Sequence, residues 1–280
     1  MKNSCYILGD CRDIIPTLGN DIKAVITSPP YFNLRAMGVL NEIGVEETLT
    51  EYLQNLIGVF TLIRPKLKKD GTVWVNMGDT YSKRGISGFD AINPRASSKK
   101  THIHRKIQKG YKPKDLIGVP WLFAFEMIKA GFYLRSDIIW HKPNPMPESV
   151  KDRPTRSHEY FFLFSKSEKY FYNNNAVKVP TKEASHLRAK YGGSAKVSEK
   201  RNLRDVWTVP TNSKNRTSHC STFPKDLIRP AILASTKEGE IVLDPFCGTG
   251  TTGEVCSELG RGFIGVDISP EAHSIKKKGG

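Results

Sequence analysis

Short apolar runs alternate along most of the chain with longer amphipathic segments. Runs of four to seven residues rich in Val, Ile, Leu and Phe predict buried strands, at 5–9, 22–27, 72–76, 134–140, 159–164, 241–244 and 262–266. Apolar residues spaced three or four apart predict helices, at 11–18, 49–64, 119–130, 224–235, 251–259 and 270–277. Strands that alternate with helices predict an α/β domain with a mostly parallel sheet and helices on both faces.

Two basic, polar segments interrupt this pattern. Residues 82–114 hold ten Lys and Arg against one acid, a net charge of +9, and residues 173–218 hold ten against three, a net charge of +7. Because the whole chain of 280 residues carries +15, the rest is almost neutral. We expect long loops or small appended structures that either keep the protein soluble or bind a polyanion. For polyanion binding, five rings would touch bases: His102, His104, Tyr111, Tyr191 and Trp207.

Composition otherwise suits a soluble protein. Hydrophobic residues make up 38% of the chain and charged residues 25%. No apolar stretch approaches the roughly 18 residues of a membrane span, and the N-terminus lacks a signal peptide's apolar segment, so we expect a cytoplasmic protein. The five cysteines form no CxxC pair, which predicts neither a zinc site nor disulfides, and we expect no metal.

A glycine-rich turn follows one of the predicted strands. In "VLDPFCGTGTTGEV", residues 242–255, the glycines fit G-x-G-x-x-G between a strand and a helix, and Asp267 ends the next strand 19 residues after Gly248. This geometry lets the backbone of the glycine loop (245–250) approach a ligand while the acid holds a ribose. A nicotinamide dehydrogenase and a turn that merely packs a helix are alternatives. A P-loop is excluded because no G-K-[ST] follows.

A second unusual stretch is "TSPPYFN", which ends the predicted strand 22–27. Taken with "DPFCGTGTT", its SPPY segment (28–31) resembles the catalytic tetrapeptide of the DNA amino-methyltransferases, whose S-adenosylmethionine loop the glycine stretch resembles. Further segments resemble that family in the same order: 71–81, 115–166 and 223–233. The catalytic motif precedes the cofactor motif, as in the beta class. The resemblance implies a Rossmann-like S-adenosylmethionine-dependent methyltransferase fold with circularly permuted motifs.

The permutation makes a prediction about the N-terminus. In the usual methyltransferase sheet the strand with the ribose acid is followed by one that ends near the adenine, and here the chain stops soon after Asp267. The N-terminal strand 5–9 should therefore take that place, with Asp10 and Cys11 beside the adenine. Asp10 also suits the N-cap of the following helix.

The chemistry of amino methylation explains the SPPY segment. An exocyclic amino group is a poor nucleophile because its lone pair is delocalised into the base, and acceptors aimed at its hydrogens localise that pair. We predict the Pro29 carbonyl as acceptor and the Ser28 hydroxyl as a second, with Pro30 stiffening the turn. Tyr31 would stack on a base rotated out of the duplex. An extended turn without function is the alternative for this segment alone.

The resemblance also implies further site residues. For the target-base pocket they are Asn76, Asp79, Trp140 and His141. For the cofactor they are Asp10, Cys11, Phe223, Pro224, Asp244, Pro245, Phe246, Gly248, Gly250, Thr251, Thr252 and Asp267. For DNA we select Lys99, Lys100, Arg105, Lys106, Arg188, Lys190, Arg201 and Arg204. The alternative for Trp140 is a core tryptophan that closes a strand. His158 and Glu159 are interpreted as a structural polar pair.

The implied domain organisation has one catalytic and cofactor-binding domain, formed by 1–81, 115–172 and 219–280. Residues 82–114 form a basic insertion within it. Residues 173–218 lie where the family carries its target-recognition region. The sequence indicates no oligomeric state.

Competing enzyme classes fit less well. Cytosine methylation at carbon 5 needs a cysteine after a proline, and the chain has none. Protein-glutamine and several RNA methyltransferases usually begin the tetrapeptide with Asn. We therefore expect a site-specific methyltransferase of double-stranded DNA that modifies the 4-amino group of cytosine, beside a cognate restriction endonuclease. The 6-amino group of adenine is the first alternative. It is less favoured because adenine enzymes usually carry Asp where this chain has Ser28. Methylation of RNA is a more distant alternative.

Overall fold

The computed structural model describes residues 4–34, 38–82, 85–87, 103–181, 199–211 and 223–270, with the backbone alone for 85–87 and 103–105. Its strands are β1 (Ser4–Leu8), β2 (Ile22–Thr27), β3 (Leu67–Met77), β4 (Gly85–Ser87), β5 (Ile103–Arg105), β6 (Tyr133–His141), β7 (His158–Ser165), β8 (Val179–Pro180), β9 (Lys200–Arg201), β10 (Val206–Thr208), β11 (Ile241–Asp244) and β12 (Gly262–Asp267). Its helices are α1 (Cys11–Ile14), α2 (Leu49–Lys66), α3 (Val119–Lys129), α4 (Lys225–Ser235) and α5 (Thr251–Glu258). Short 3₁₀ turns lie at Ile15–Thr17 and Asn174–Val177.

Eight strands form one sheet in the order β1-β12-β11-β2-β3-β7-β6-β10. All neighbours pair in parallel except β7, which is antiparallel to both β3 and β6. The predicted mostly parallel sheet is confirmed. The parallel strands end at one border of the sheet, which we call the carboxyl edge, and begin at the opposite amino edge.

The predicted permutation is confirmed at the N-terminal strand. β1 pairs in parallel with β12, with Leu8 opposite Asp267. The amide of Gly9 donates to the Asp267 carbonyl at 2.9 Å. The first strand therefore continues the sheet beyond the ribose-acid strand, and Asp10 emerges beside it at the carboxyl edge.

Helices cover both faces of the sheet, as predicted. On one face α2 and α3 bury the rings of Tyr52, Phe60 and Phe123. On the other, α4 and α5 bury Ile228 and Val255. Each helix turns its apolar stripe to the sheet, and this burial is the main stabilising contribution to the fold.

Local differences from the predicted elements have identifiable causes. β2 and β11 have the predicted bounds, whereas β3 begins five residues earlier than expected. The helix predicted at 11–18 is regular only to Ile14 and then tightens into the 3₁₀ turn, because Pro16 has no amide hydrogen for the α-helical ladder. The helix predicted at 270–277 lies outside the described residues except for its first residue.

Both basic segments contain short strands that the sequence did not indicate. β4 and β5 form an antiparallel ladder within 82–114, and β8 pairs with β9 within 173–218. β10, also within 173–218, joins the main sheet by pairing with β6. Its Trp207 is 7% exposed and lies 6.2 Å from the Trp74 ring. Trp207 is therefore a core residue, and the hypothesis that it touches bases is wrong.

Within the described residues, no helix is both long and apolar enough to span a membrane. The same part of the chain holds no cluster of three or more His, Cys, Asp or Glu side chains that could bind a metal ion.

Candidate active site

The glycine loop lies at the carboxyl edge and presents open backbone. Gly248 and Gly250 have φ angles of +48° and +81°, a region that favours glycine, and Gly250 caps α5. A methyl group added at Gly248 would have no neighbour within 4 Å. Asp267 accepts hydrogen bonds from the amides of Gly248 at 2.7 Å and Ser269 at 2.8 Å. The structure thus brings the predicted loop and the predicted ribose acid together.

A second acid, Asp10, follows the end of the neighbouring strand β1. Asp10 accepts a hydrogen bond from the Arg12 amide at 2.9 Å as the N-cap of α1, and it pairs with the Arg12 guanidinium at 2.5 Å. The hydrogen bonds from Arg12 lower the pKa of Asp10. Each carboxylate retains acceptor capacity on its oxygens. Two acids beside an open glycine backbone can accept hydrogen bonds from the hydroxyls and amino group of a nucleoside. Their contact with a cofactor stays a prediction.

Asp244 has a different place from the other predicted cofactor residues. It is 2% exposed and accepts hydrogen bonds from the hydroxyls of Thr27 at 2.6 Å and Thr252 at 2.7 Å. Burial raises the pKa of Asp244 to about 6. Because Thr27 directly precedes Ser28, this carboxylate ties the SPPY segment to the helix that follows the glycine loop.

The remaining predicted cofactor residues surround the same region. Cys11 is buried at the start of α1, Phe246 packs against the core of the α2 face, and Thr251 begins α5. Phe223 is 7% exposed, and Pro224 is the N-cap of α4. Their contact with a cofactor stays a prediction.

The SPPY segment leaves the Pro29 carbonyl available. The Tyr52 hydroxyl donates to the Pro30 carbonyl at 2.8 Å. Among the described residues, none donates a hydrogen bond to the carbonyl of Pro29. The Ser28 hydroxyl lies 3.5 Å from Nδ2 of Asn76, at the end of the neighbouring β3. These positions are compatible with the predicted pair of acceptors.

Tyr31 is held at its hydroxyl. It donates to Oε2 of Glu159 at 2.8 Å and accepts from Nδ2 of Asn76 at 2.9 Å. Burial, and then the nearby charge of Glu159, raise the pKa of Tyr31. Its ring edge lies so close to Gly78 that a methyl group there would be 2.8 Å from Cε2. The ring is therefore fixed in position at the carboxyl edge.

Two residues predicted for the target-base pocket have other contacts. The carboxylate of Asp79 accepts the amides of Thr80, Gly118 and Val119 at 2.8 to 3.0 Å. It thereby caps α3, and its contacts do not support a role at the base. Trp140 is 4% exposed and donates from Nε1 to the Val209 carbonyl at 2.8 Å. These contacts support the alternative of a core tryptophan.

Comparison with known proteins decides the family. Residues 22–278 match the model of the N6/N4 methyltransferase family, described as DNA methylase. The chain belongs to this DNA methylase family. It is 44% identical over 264 residues to the Type II methyltransferase M.Cfr9I of Citrobacter freundii, covering 94% of this chain and 83% of that one. It is 42% identical over 279 residues to M.SmaI of Serratia marcescens, covering 99% and 91%.

Solved structures share the fold of this DNA methylase. The cytosine-N4-specific PvuII DNA methyltransferase superposes with a TM-score of 0.71 at 21% identity, covering 99% of this chain and 86% of that one. TTHA0409 of Thermus thermophilus, determined with S-adenosyl-L-methionine, superposes with a TM-score of 0.63 at 21% identity, covering 98% and 92%. The Rossmann-like methyltransferase fold is confirmed.

Half of the eight basic residues predicted to contact DNA in this methylase lie outside the described residues, namely Lys99, Lys100, Arg188 and Lys190. Arg105 is described by its backbone alone. Lys106 pairs with Glu47 at 3.2 Å on the surface. Arg201 lies in β9, and the carbonyl of Arg204 accepts Nε1 of Trp207. Their contact with DNA stays a prediction.

Two residues of the methylase site, Glu159 and Lys142, have no site role in the sequence-based predictions, which interpret Glu159 only as a structural polar partner of His158. Glu159 touches both Tyr31 and Asn76, and Lys142 pairs with its other oxygen at 2.5 Å. His141, predicted for the pocket, instead approaches the Thr208 hydroxyl at 3.1 Å through Nδ1. The antiparallel pairing of β7 with β3 places Glu159 beside the SPPY segment, and no local motif signals that pairing.

Proposed function

We propose that this DNA amino-methyltransferase is site-specific and transfers the methyl group of S-adenosylmethionine to the exocyclic 4-amino group of cytosine. The observation that carries the proposal is the coupling of its two motifs. Thr27, directly before the SPPY segment, donates to Asp244 at 2.6 Å, and Thr252, after the glycine loop, donates to the same carboxylate. One buried acid thus sets the catalytic segment against the cofactor loop.

The proposed reaction divides between these two motifs. S-adenosylmethionine supplies an electrophilic sulfonium methyl group. The glycine loop and Asp267 would hold its nucleoside, and the anchored ring of Tyr31 would stack on the extruded base. The Pro29 carbonyl and the Ser28 hydroxyl would accept hydrogen bonds from the amino group, which localises its lone pair for in-line transfer.

The choice of base rests on Ser28. A neutral hydroxyl stands where adenine enzymes usually carry a carboxylate, and it lies 3.5 Å from the amide of Asn76. The cytosine-N4-specific PvuII enzyme, which shares this fold, adds support. Adenine at its 6-amino group is the second candidate, because the matched family includes both N6 and N4 enzymes.

The proposed substrate is a short site in double-stranded DNA. The similar proteins M.Cfr9I and M.SmaI are Type II methyltransferases, which supports a restriction-modification system with a cognate endonuclease. The excess of positive charge in 82–114 and 173–218 supports a polyanionic partner.

Identification of the product tests this function. Plasmid DNA is incubated with the purified protein and isotopically labelled S-adenosylmethionine, and its nucleosides are identified by mass spectrometry, with total RNA treated in parallel. Labelled 4-methylcytosine in DNA is the expected product. Labelled 6-methyladenine would refute the choice of base, and label in RNA alone would refute the choice of nucleic acid. A reaction without cofactor is the control.

A further inference from the structure

A largely buried ion pair lies directly beside the SPPY segment. Lys142 and Glu159 are joined at 2.5 Å, and their side chains are only 18% and 17% exposed. Oε1 of Glu159 accepts from Lys142, while Oε2 accepts from the Tyr31 hydroxyl and from Nδ2 of Asn76, both at 2.8 Å. One carboxylate therefore receives three donors, two of which belong to residues at the proposed base pocket.

We propose that Glu159, held by Lys142, is a positioning residue for methyl transfer that fixes Tyr31 and Asn76 at the target base. The proposal rests on the proposed role of the SPPY segment. In this proposal Glu159 does not act on a reacting group itself but through Tyr31 and Asn76, the two residues that it binds.

The direction of the hydrogen bonds explains why a carboxylate is needed. Tyr31 has one hydroxyl hydrogen, and Glu159 receives it, so the lone pairs of that hydroxyl are left for Asn76. A carboxylate offers about four acceptor sites and no donor, which suits three converging donors. Replacement by an amide would place a donor against Lys142 or against the Tyr31 and Asn76 pair.

Lys142 is held in place by two contacts besides its pair with Glu159. Its backbone amide donates to the Ser157 carbonyl at 2.7 Å, and its ammonium lies 4.3 Å from the centroid of the Trp140 ring. Trp140 is fixed in turn by its hydrogen bond to Val209. The core tryptophan thus supports the ion pair, and the ion pair supports the catalytic segment.

Close packing limits how far the pair and the ring can move. A methyl group added at Gly78 would lie 3.3 Å from Cδ of Glu159 as well as 2.8 Å from Cε2 of Tyr31. Both side chains therefore pack directly against the backbone that ends β3. Small losses of position at such a site reduce the rate of transfer more than they reduce binding.

A double-mutant cycle tests the proposal. Glu159→Gln, Tyr31→Phe and the double variant are compared with the wild type in single-turnover methyl transfer to plasmid DNA, together with KM for DNA, the dissociation constant of S-adenosylmethionine and the unfolding midpoint. Glu159→Gln should slow transfer about tenfold with KM and cofactor affinity within about twofold. Because Glu159 acts through the Tyr31 hydroxyl, its replacement should slow the Tyr31→Phe variant only about twofold to threefold.

Asp70→Asn is the matched control. Asp70 pairs with Lys23 at 2.5 Å, and Lys23 lies 4.8 Å from the Phe171 ring, so this pair repeats the geometry at the amino edge. Its transfer rate should equal that of the wild type. An unchanged rate for Glu159→Gln, rate losses that multiply in the double variant, or an equal loss for Asp70→Asn would each overturn the proposal. Failure of the wild type to methylate DNA would refute the proposed function instead.

Discussion

The two edges of the sheet carry similar ion pairs with different surroundings. At the amino edge Lys23 is buried to 4% exposure, and its partner Asp70 is 47% exposed. At the carboxyl edge Lys142 and Glu159 are both largely buried. Each pair has an N–O distance of 2.5 Å, and each lysine lies over an aromatic ring.

The difference lies in what the second carboxylate oxygen does. Asp70 is half exposed to water, and within the described part of the chain no side chain other than Lys23 donates a hydrogen bond to its carboxylate. The second oxygen of Glu159 binds Tyr31 and Asn76. Two ion pairs of similar geometry can therefore have different roles, and the role depends on what each carboxylate contacts besides its lysine. Variants at matched positions on the two edges can therefore separate catalysis from stability.

Among the variants that compare the two edges, Gly78→Ala should have the largest effect on the rate, with Gly71→Ala as its counterpart in β3. Gly78→Ala would push a methyl group into the Tyr31 ring, and we expect methyl transfer to fall about a hundredfold because the base platform is displaced. Gly71→Ala meets the carbonyls of Lys68 and Lys23 at 3.0 and 3.1 Å. It should cost about 1–3 kcal/mol of stability with little change in rate per folded molecule. Single-turnover rates and denaturant unfolding measure both. Equal transfer rates for Gly78→Ala and Gly71→Ala would contradict the proposed difference between the two edges.

Removal of each lysine should give a smaller contrast. Lys142→Met leaves Glu159 without its fixed partner, and we expect a rate loss of about fivefold with unchanged cofactor affinity. Lys23→Met leaves a half-exposed carboxylate, so the rate should remain that of the wild type. Steady-state kinetics on plasmid DNA show whether the loss of each variant appears in kcat or in KM. A rise in KM with constant kcat for Lys142→Met would contradict a positioning role.

The buried acid of the carboxyl edge should also appear in the pH dependence of stability. The pKa of Asp244 is about 6 in the folded protein, above its ordinary value of 3.8. Between these values the folded chain retains a proton that the unfolded chain has lost, so this group lowers the free energy of unfolding as pH rises. The slope is at most about 1.4 kcal/mol per pH unit, and the loss levels off as the pH rises past the folded pKa of about 6.

Asp244→Asn should remove this contribution, whereas Asp70→Asn at the amino edge should retain it. Denaturant unfolding of the three proteins from pH 4 to pH 7 makes the comparison. Parallel pH curves for the wild type and Asp244→Asn would show that the acid titrates normally in the folded protein.

The smallest expected effect concerns exposed lysines. Lys151 lies in the connection between β6 and β7 at the carboxyl edge, and Lys169 follows β7 at the amino edge. If DNA binds at the carboxyl edge, Lys151→Gln should reduce the salt dependence of DNA affinity by about 0.9 in log–log slope, and Lys169→Gln should not. Binding titrations over a range of salt concentrations measure the slopes. A larger change for Lys169→Gln would place the DNA elsewhere.

Local motifs predicted much of the fold and part of the site. The glycine loop, Asp267 and the position of β1 beside β12 follow from short segments and their order. Glu159 could not be found in this way, because its place depends on the register that sets Tyr160 opposite Met77. A shift of one residue would turn Glu159 to the other face of the sheet. The capping role of Asp79 likewise depends on where α3 packs.

The central claim is that the SPPY segment performs the transfer while a separate loop holds the cofactor. It is tested most directly by Tyr31→Ala, with single-turnover methylation and S-adenosylmethionine affinity measured on the same preparation. We predict that transfer is abolished while the cofactor dissociation constant stays within about threefold of the wild-type value. Full transfer by this variant, or loss of cofactor binding in parallel with activity, would contradict the account.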